Sequence, residues 1–197
     1  MLPVASDHDI IEAVRGGDIE RYAELIERYQ RAAWKVAYGL VGNMADAEEL
    51  SQNAWVKAYQ ALPRFRGEAK FSTWLYRIVV NECQDFRRRQ ARQPVIMRPS
   101  VGHGDEDPVL FDVEDPAAGP RDHAADRELA VSLSAAIRAL PDRQREAFTL
   151  CQLHGLSLDD AAQVMGCRLG TIKAHLFRAT EHLRHALAPW ADVEVPR

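Results

Sequence analysis

The sequence predicts an all-α protein: two small helical domains joined by a flexible acidic linker, the C-terminal one a helix-turn-helix. Three observations carry that expectation. Apolar residues recur at i, i+3, i+4 and i+7 along most of the chain, and no segment alternates with the period of two that a half-buried strand needs. The helical pattern breaks off once, between Gln93 and Asp122, where Pro, Gly and Asp accumulate. Near the C-terminus a short apolar-faced helix, a glycine turn and a longer polar-faced helix follow one another.

Each element has its own signals. Tyr22, Leu25, Ile26, Tyr29, Ala33, Val36, Ala37 and Leu40 predict an amphipathic helix of about five turns, with Gly16-Gly17 before it and Gly42-Asn43 after it. A second helix spans 44–61 and stops at Pro63; a third begins after Gly67, near Ser72, and ends by Arg92, ahead of Pro94. Residues 1–92 thus form the first domain and 93–128 the linker. A helical stripe restarts at Leu129, Leu133, Ala136, Ile137 and Leu140, and Pro141 opens a helix that Gly155 ends. Ser157, with Asp160 in capping-box position, starts a short helix. The second domain runs over 129–188, and 189–197 is a tail.

Composition narrows the class. Of 197 residues, 47% are hydrophobic and 27% charged, which suits a chain that buries a core rather than a disordered one. No apolar run approaches the roughly 18 residues of a membrane span, and the N-terminus lacks the basic start and apolar centre of a secretory signal; a soluble, cytoplasmic protein is expected. Cys83, Cys151 and Cys167 are odd in number and form no CxxC pair, so buried free thiols are expected rather than disulfides. Cys151, His154, Cys167 and His175 make only a weak zinc pattern, because they fall in segments that read as continuous helix. No metal, cofactor or catalytic residue is expected.

The net charge of −4 hides a segregation. Residues 64–92 carry 8 basic and 3 acidic side chains, whereas 1–63 carry 6 and 10, and 93–128 carry 3 and 9. A basic block fenced by acidic ones is the footprint of a polyanion partner. On the third helix Trp74, Arg77, Asn81 and Arg88 share one arc opposite Leu75, Val79 and Phe86, and Phe65 and Phe71 stand just before it. Aromatic rings among arginines and an asparagine suit unstacked bases, which need a surface to stack on and a polar group to read an edge; taken singly, Phe71 and Trp74 read first as core. In the second domain Leu158, Ala161, Ala162 and Met165 face inward. After Gly166-Cys167-Arg168, Ile172, Leu176, Ala179, Leu183 and Leu187 form the apolar stripe of the longer helix, with Thr171, Ala174, His175, Arg178, His182 and His185 on the other side. Its N-terminal residues fit a major groove, with Lys173 and Arg178 meeting phosphates or guanine edges. A plain helix-packing unit with a solvated face would share this spacing.

Three segments in order, DAEELSQNAWVKAYQAL (46–62), FRGEAKFSTWLYRIVVNECQDFRRR (65–89) and LPDRQREAFTLCQLHGLSLDDAAQVMGCRLGTIKAHLFRA (140–179), closely resemble the extracytoplasmic-function (ECF) sigma factors of bacterial RNA polymerase. The resemblance implies a non-catalytic promoter-recognition subunit whose partners are core polymerase (β′ clamp and β subunits), promoter DNA and an anti-sigma factor. It assigns core docking to Asp46, Glu48, Glu49, Gln52, Asn53, Trp55 and Lys57. It assigns the single-stranded −10 element to Phe65, Lys70, Phe71, Ser72, Thr73 and Trp74 with Arg77, Asn81, Arg87 and Arg88. The duplex −35 element falls to Arg168, Gly170, Thr171, Lys173, Ala174, His175 and Arg178. Family members often carry Ser-Arg where this chain has Ala174-His175, and arginine at Thr180, so weaker or differently specific −35 contacts are implied. A stand-alone helix-turn-helix regulator binding a palindromic site as a dimer is the competing expectation; a helical hydrolase lacks any supporting motif.

Overall fold

The computed structural model describes residues 5–92 and 123–190, with side chains of the second stretch from residue 128 onward. Most of the expected linker, residues 93–122, lies outside the described residues.

A nine-residue helix that the periodicity did not single out comes first: α1, Asp7–Arg15. Ser6 starts it with a capping box. Its Oγ accepts from the Asp9 N–H at 3.2 Å, and the Asp9 carboxylate accepts from the Ser6 N–H and hydroxyl. Ile10, Ile11 and Val14 are its buried face. α2 (Tyr22–Val41) follows the predicted stripe and ends where Gly42, at φ +72°, takes the left-handed conformation and donates its N–H to the Tyr38 carbonyl. α3 (Met44–Ala61) is capped by the Asn43 side chain, which accepts from the Asp46 N–H at 2.9 Å. It buries Leu50 together with Ala47, Ala54 and Ala58, whose small side chains let it lie close on α2. A short 3-10 turn at Leu62–Arg64 leads to α4 (Phe71–Arg92), whose Leu75, Val79, Val80 and Cys83 are fully enclosed. Each such aliphatic side chain contributes roughly 1.5–3 kcal/mol on burial.

The second unit holds α5 (His123–Ala139), α6 (Asp142–Phe148), α7 (Leu158–Met165) and α8 (Leu169–Ala186). α5 starts at His123, inside the stretch expected to be linker. The helix expected between Pro141 and Gly155 is present but changes form: α6 passes directly into a π-helical turn at Thr149–Leu153. Thr149 and Leu150 within that turn are both fully buried. Ser157 caps α7 by accepting from the Asp160 N–H at 3.1 Å, and Gly166, at φ +60°, closes it before α8 crosses. Ile137 and Leu140 pack with Ala179 and Leu183 in a small core of this unit.

The two units lean on one another. α7 lies along α4, while α6 and the π turn meet α2. Ala147, Leu150, Ala161, Val164, Met165 and Ile172 belong to the same apolar cluster as Leu40 and Val79. The approach is closest at Gly39 of α2, where a Cβ would stand 2.7 Å from the Thr149 Cγ2. Among the described residues no helix is long and apolar enough to cross a membrane.

Candidate functional site

The basic face of the first unit is built around the loop between the 3-10 turn and α4. Arg15 of α1 anchors that loop: its guanidinium donates to the Leu62 carbonyl at 3.1 and 3.3 Å, donates also to the Phe65 carbonyl, and pairs with Glu12 at 2.6 Å. A planar fork suits two carbonyls at once. A cleft of about 360 Å³ opens between α1 and this loop, lined by His8, Glu12, Arg15, Phe65, Lys70 and Phe71.

The predicted −10 residues separate into three groups. Phe65 and Trp74 are half-exposed and meet ring to ring at 5.0 Å, with Arg77, Asn81 and Arg88 exposed farther along α4 and Ser72 half-buried at its start. These remain available to a ligand. Phe71 does not: it is 2% exposed, packed among Tyr29, Trp55, Phe65 and Trp74, and is a core residue. Lys70, Thr73 and Arg87 are engaged by the second unit. The Thr73 hydroxyl donates to Asp160 at 3.2 Å, and Lys70 lies 3.6 Å from the same carboxylate. Arg87 pairs with Asp142 at 2.8 Å and Glu146 at 3.2 Å. Glu146 is 1% exposed and is also held by Gln84 and Arg143, the pairing a buried carboxylate requires.

The expected docking helix is α3. Asp46, Glu48, Glu49, Gln52 and Asn53 lie on its outer side, and burial together with the neighbouring Glu49 raises the Asp46 carboxyl above the usual range. Two assignments change. Trp55 is 8% exposed, receives Tyr22 edge-on at 5.9 Å, and offers only a rim to the surface. Lys57 is tied to the buried Glu82 of α4. A groove of about 570 Å³ runs between α2 and α3, lined by Ile26, Gln30, Trp34, Glu48, Gln52 and Trp55. Sequence reasoning passed over Trp34, which stacks on Tyr38 at 5.3 Å. Its signal was an aromatic residue off the apolar stripe of α2.

On α8, Arg168, Gly170, Thr171 and Lys173 are exposed at the N-terminal end, as a groove-reading helix needs, and Arg178 is exposed midway along it. Ala174 and His175 are half-buried, and the His175 Nδ1 is enclosed without a partner, so this imidazole is a poor substitute for an arginine. Phe177, beside Arg178, is 68% exposed. It was not predicted, although an aromatic outside the Ile172–Leu183 stripe marks it. Among the described residues no cluster of three His, Cys, Asp or Glu could hold a metal ion.

A basic helix with exposed rings and a helix-turn-helix on one chain define a protein with two distinct nucleic-acid-reading elements. Two family models match: Sigma-70 region 2 over residues 25–93, and Sigma-70, region 4 over 130–183. The RNA polymerase sigma-H factor of Pseudomonas aeruginosa is 34% identical over 193 residues, covering 96% of this chain and 97% of the relative. The ECF RNA polymerase sigma-E factor of Escherichia coli K12 is 33% identical over 192 residues, covering 93% and 95%. Among solved structures, the sigma factor RpoE of Bartonella quintana, in complex with the anti-sigma factor NepR, matches with a TM-score of 0.63 at 26% identity, covering 87% of this chain and 98% of that one. CnrH in complex with the cytosolic domain of CnrY has the same fold, with a TM-score of 0.67 and 21% identity over 93% and 97% of the two chains. The chain belongs to the ECF sigma factors, the promoter-recognition subunits of RNA polymerase.

Proposed function

We propose that this sigma factor divides its work among three surfaces. The α2–α3 groove and the acidic side of α3 dock on core polymerase. The loop before α4, with Phe65, Trp74, Arg77, Asn81 and Arg88, captures unstacked bases of the −10 element. The N-terminal half of α8 reads the −35 element as duplex. The half-exposed Phe65–Trp74 pair beside Arg77 and Asn81 carries this reading, because stacking on rings offsets the few kcal/mol that unstacking a base costs. Arg168, Lys173 and Arg178 supply phosphate and base-edge contacts on the duplex, and the exposed Phe177 ring suits a thymine methyl. The chain makes and breaks no bond; it positions DNA for the polymerase, in the cytoplasm. An anti-sigma protein is the fitting regulator, as the Bartonella quintana relative is captured with one.

The test is to mix the purified chain with core polymerase, separate by size and run off transcripts from a genomic fragment library. Co-elution with discrete transcripts is expected. Specific duplex binding by the chain alone, without co-elution, would make it a stand-alone regulator instead.

A further inference from the structure

We propose that the contact between the two units is an autoinhibitory latch in which acidic side chains of the second unit occupy the cations that promoter phosphates would take on α4. This rests on the −10 reading given above. Among the residues that the family resemblance assigns to the −10 element, Arg87 is held by Asp142 and Glu146 and the Thr73 hydroxyl by Asp160, while Lys70, its side chain 76% exposed, faces the same Asp160 carboxylate at 3.6 Å. Arg87 cannot serve a strand phosphate while the buried Glu146 holds it.

The geometry also sets the closed form against promoter binding as a whole. At about 3.4 Å per base pair, elements centred near −10 and −35 lie some 80 Å apart. Units that touch through Gly39 and Thr149 cannot read both at once. The seam is built for close fit rather than chance contact. Gly39 admits Thr149 at a distance no side chain would allow, and Arg138 packs its Cδ where a Cβ on Gly42 would be, 2.7 Å away. His154, turned into the seam, is held against the Lys35 backbone. Opening exposes this surface, and docking on polymerase and DNA must supply the compensation. Affinity for DNA in the free chain is therefore reduced by the fraction closed.

A Cβ at Gly39 would stand 3.6 Å from the Thr149 Cβ, within the range a disulfide spans. The experiment uses the full-length chain with Gly39→Cys and Thr149→Cys, oxidised and then reduced, added to core polymerase on a promoter found with the wild type. Crosslinking is read by mass spectrometry. The oxidised chain is expected to form this bond and to give at least about tenfold less transcript, with recovery on dithiothreitol. Failure to crosslink under oxidant, or full activity of the crosslinked chain, overturns the latch. Failure of the wild-type chain to direct transcription would instead remove the reading on which the latch rests.

A second variant needs no thiol chemistry. Gly39→Leu wedges the seam while leaving the DNA-reading and docking residues in place. In the free chain it is expected to raise the radius of gyration and to bind a fluorescein-labelled single-stranded 20-mer about tenfold more tightly. A larger radius with unchanged affinity would show that the seam does not compete with phosphate, and an unchanged radius that no latch exists.

Discussion

Phe71 and Trp74 stand three residues apart in one aromatic cluster, and their substitutions should part company. Phe71→Ala removes a core ring and is expected to cost about 3–5 kcal/mol of stability, read as a lower urea midpoint with all functions weakened together. Trp74→Ala removes a half-exposed ring and should leave the midpoint nearly unchanged while reducing open-complex formation more than core binding. Sequence pattern could not separate the two, since both rings sit in the same aromatic and basic run. Arg15 makes a related point from outside that run. Arg15→Ala frees the Leu62 and Phe65 carbonyls and should lower open-complex formation several-fold, with faster amide exchange over residues 62–70 and normal core association. Arg15→Lys should recover only part, because an ammonium cannot reproduce the fork. Cysteine chemistry follows from burial: the Cys83 thiol is pushed up to about 12, and Cys151 and Cys167 are raised by the same cause. Thiolate reagents should therefore label the folded chain slowly at neutral pH, with Cys83 the last to react.

Element by element, periodicity served where one face meets one core. α2 buries Tyr22, Leu25, Ala33, Val36, Ala37 and Leu40 of the stripe its spacing gave, and α2 and α4 end near their glycine and proline signals. It failed where an element is short. α1 offers only three apolar positions, so its readable sign was the Ser6–Asp9 capping box. It failed again at the π turn, where one added residue breaks the 3.6 period. α8 was legible as a helix with exposed Arg168, Thr171 and Lys173 at its start, yet Phe177 fell outside the scheme. Phe177→Ala should weaken promoters bearing thymine at the contacted −35 position and spare the salt dependence. Arg178→Ala should flatten the dependence on salt. Footprinting over a salt series distinguishes the two.

For the molecule as a whole, two helical units were legible and their contact was not. Apolar stripes say which face is covered, not by what. Arg87 sits in an arginine-rich run and reads as a surface cation, but its counter-charge Glu146 comes 59 residues later. The contact carries a pH dependence of definite sign. Burial lowers the His154 imidazole to about 4 from an ordinary 6.5, so the closed, folded form resists a proton that the exposed ring would accept. Stability is then full above about pH 7 and is lost as pH falls from 6.5 toward 4. At pH 5 the loss is about 1–2 kcal/mol, measurable as a lower urea midpoint that His154→Gln removes. Asp160, held below the usual carboxylate range by its bond from Ser157, adds a loss only under more acid conditions.

The seam joins residues far apart in the chain: Thr73 with Asp160 across 87 positions, and Gln84 with Glu146 across 62. Within the first unit most pairings are local and form quickly. A ribosome adding about 5–20 residues per second needs several seconds to deliver the second partner of such a pair. During that interval the basic face of α4 is already folded and stands uncovered, so each newly made molecule passes through an unlatched infancy before its own C-terminal half arrives to close it.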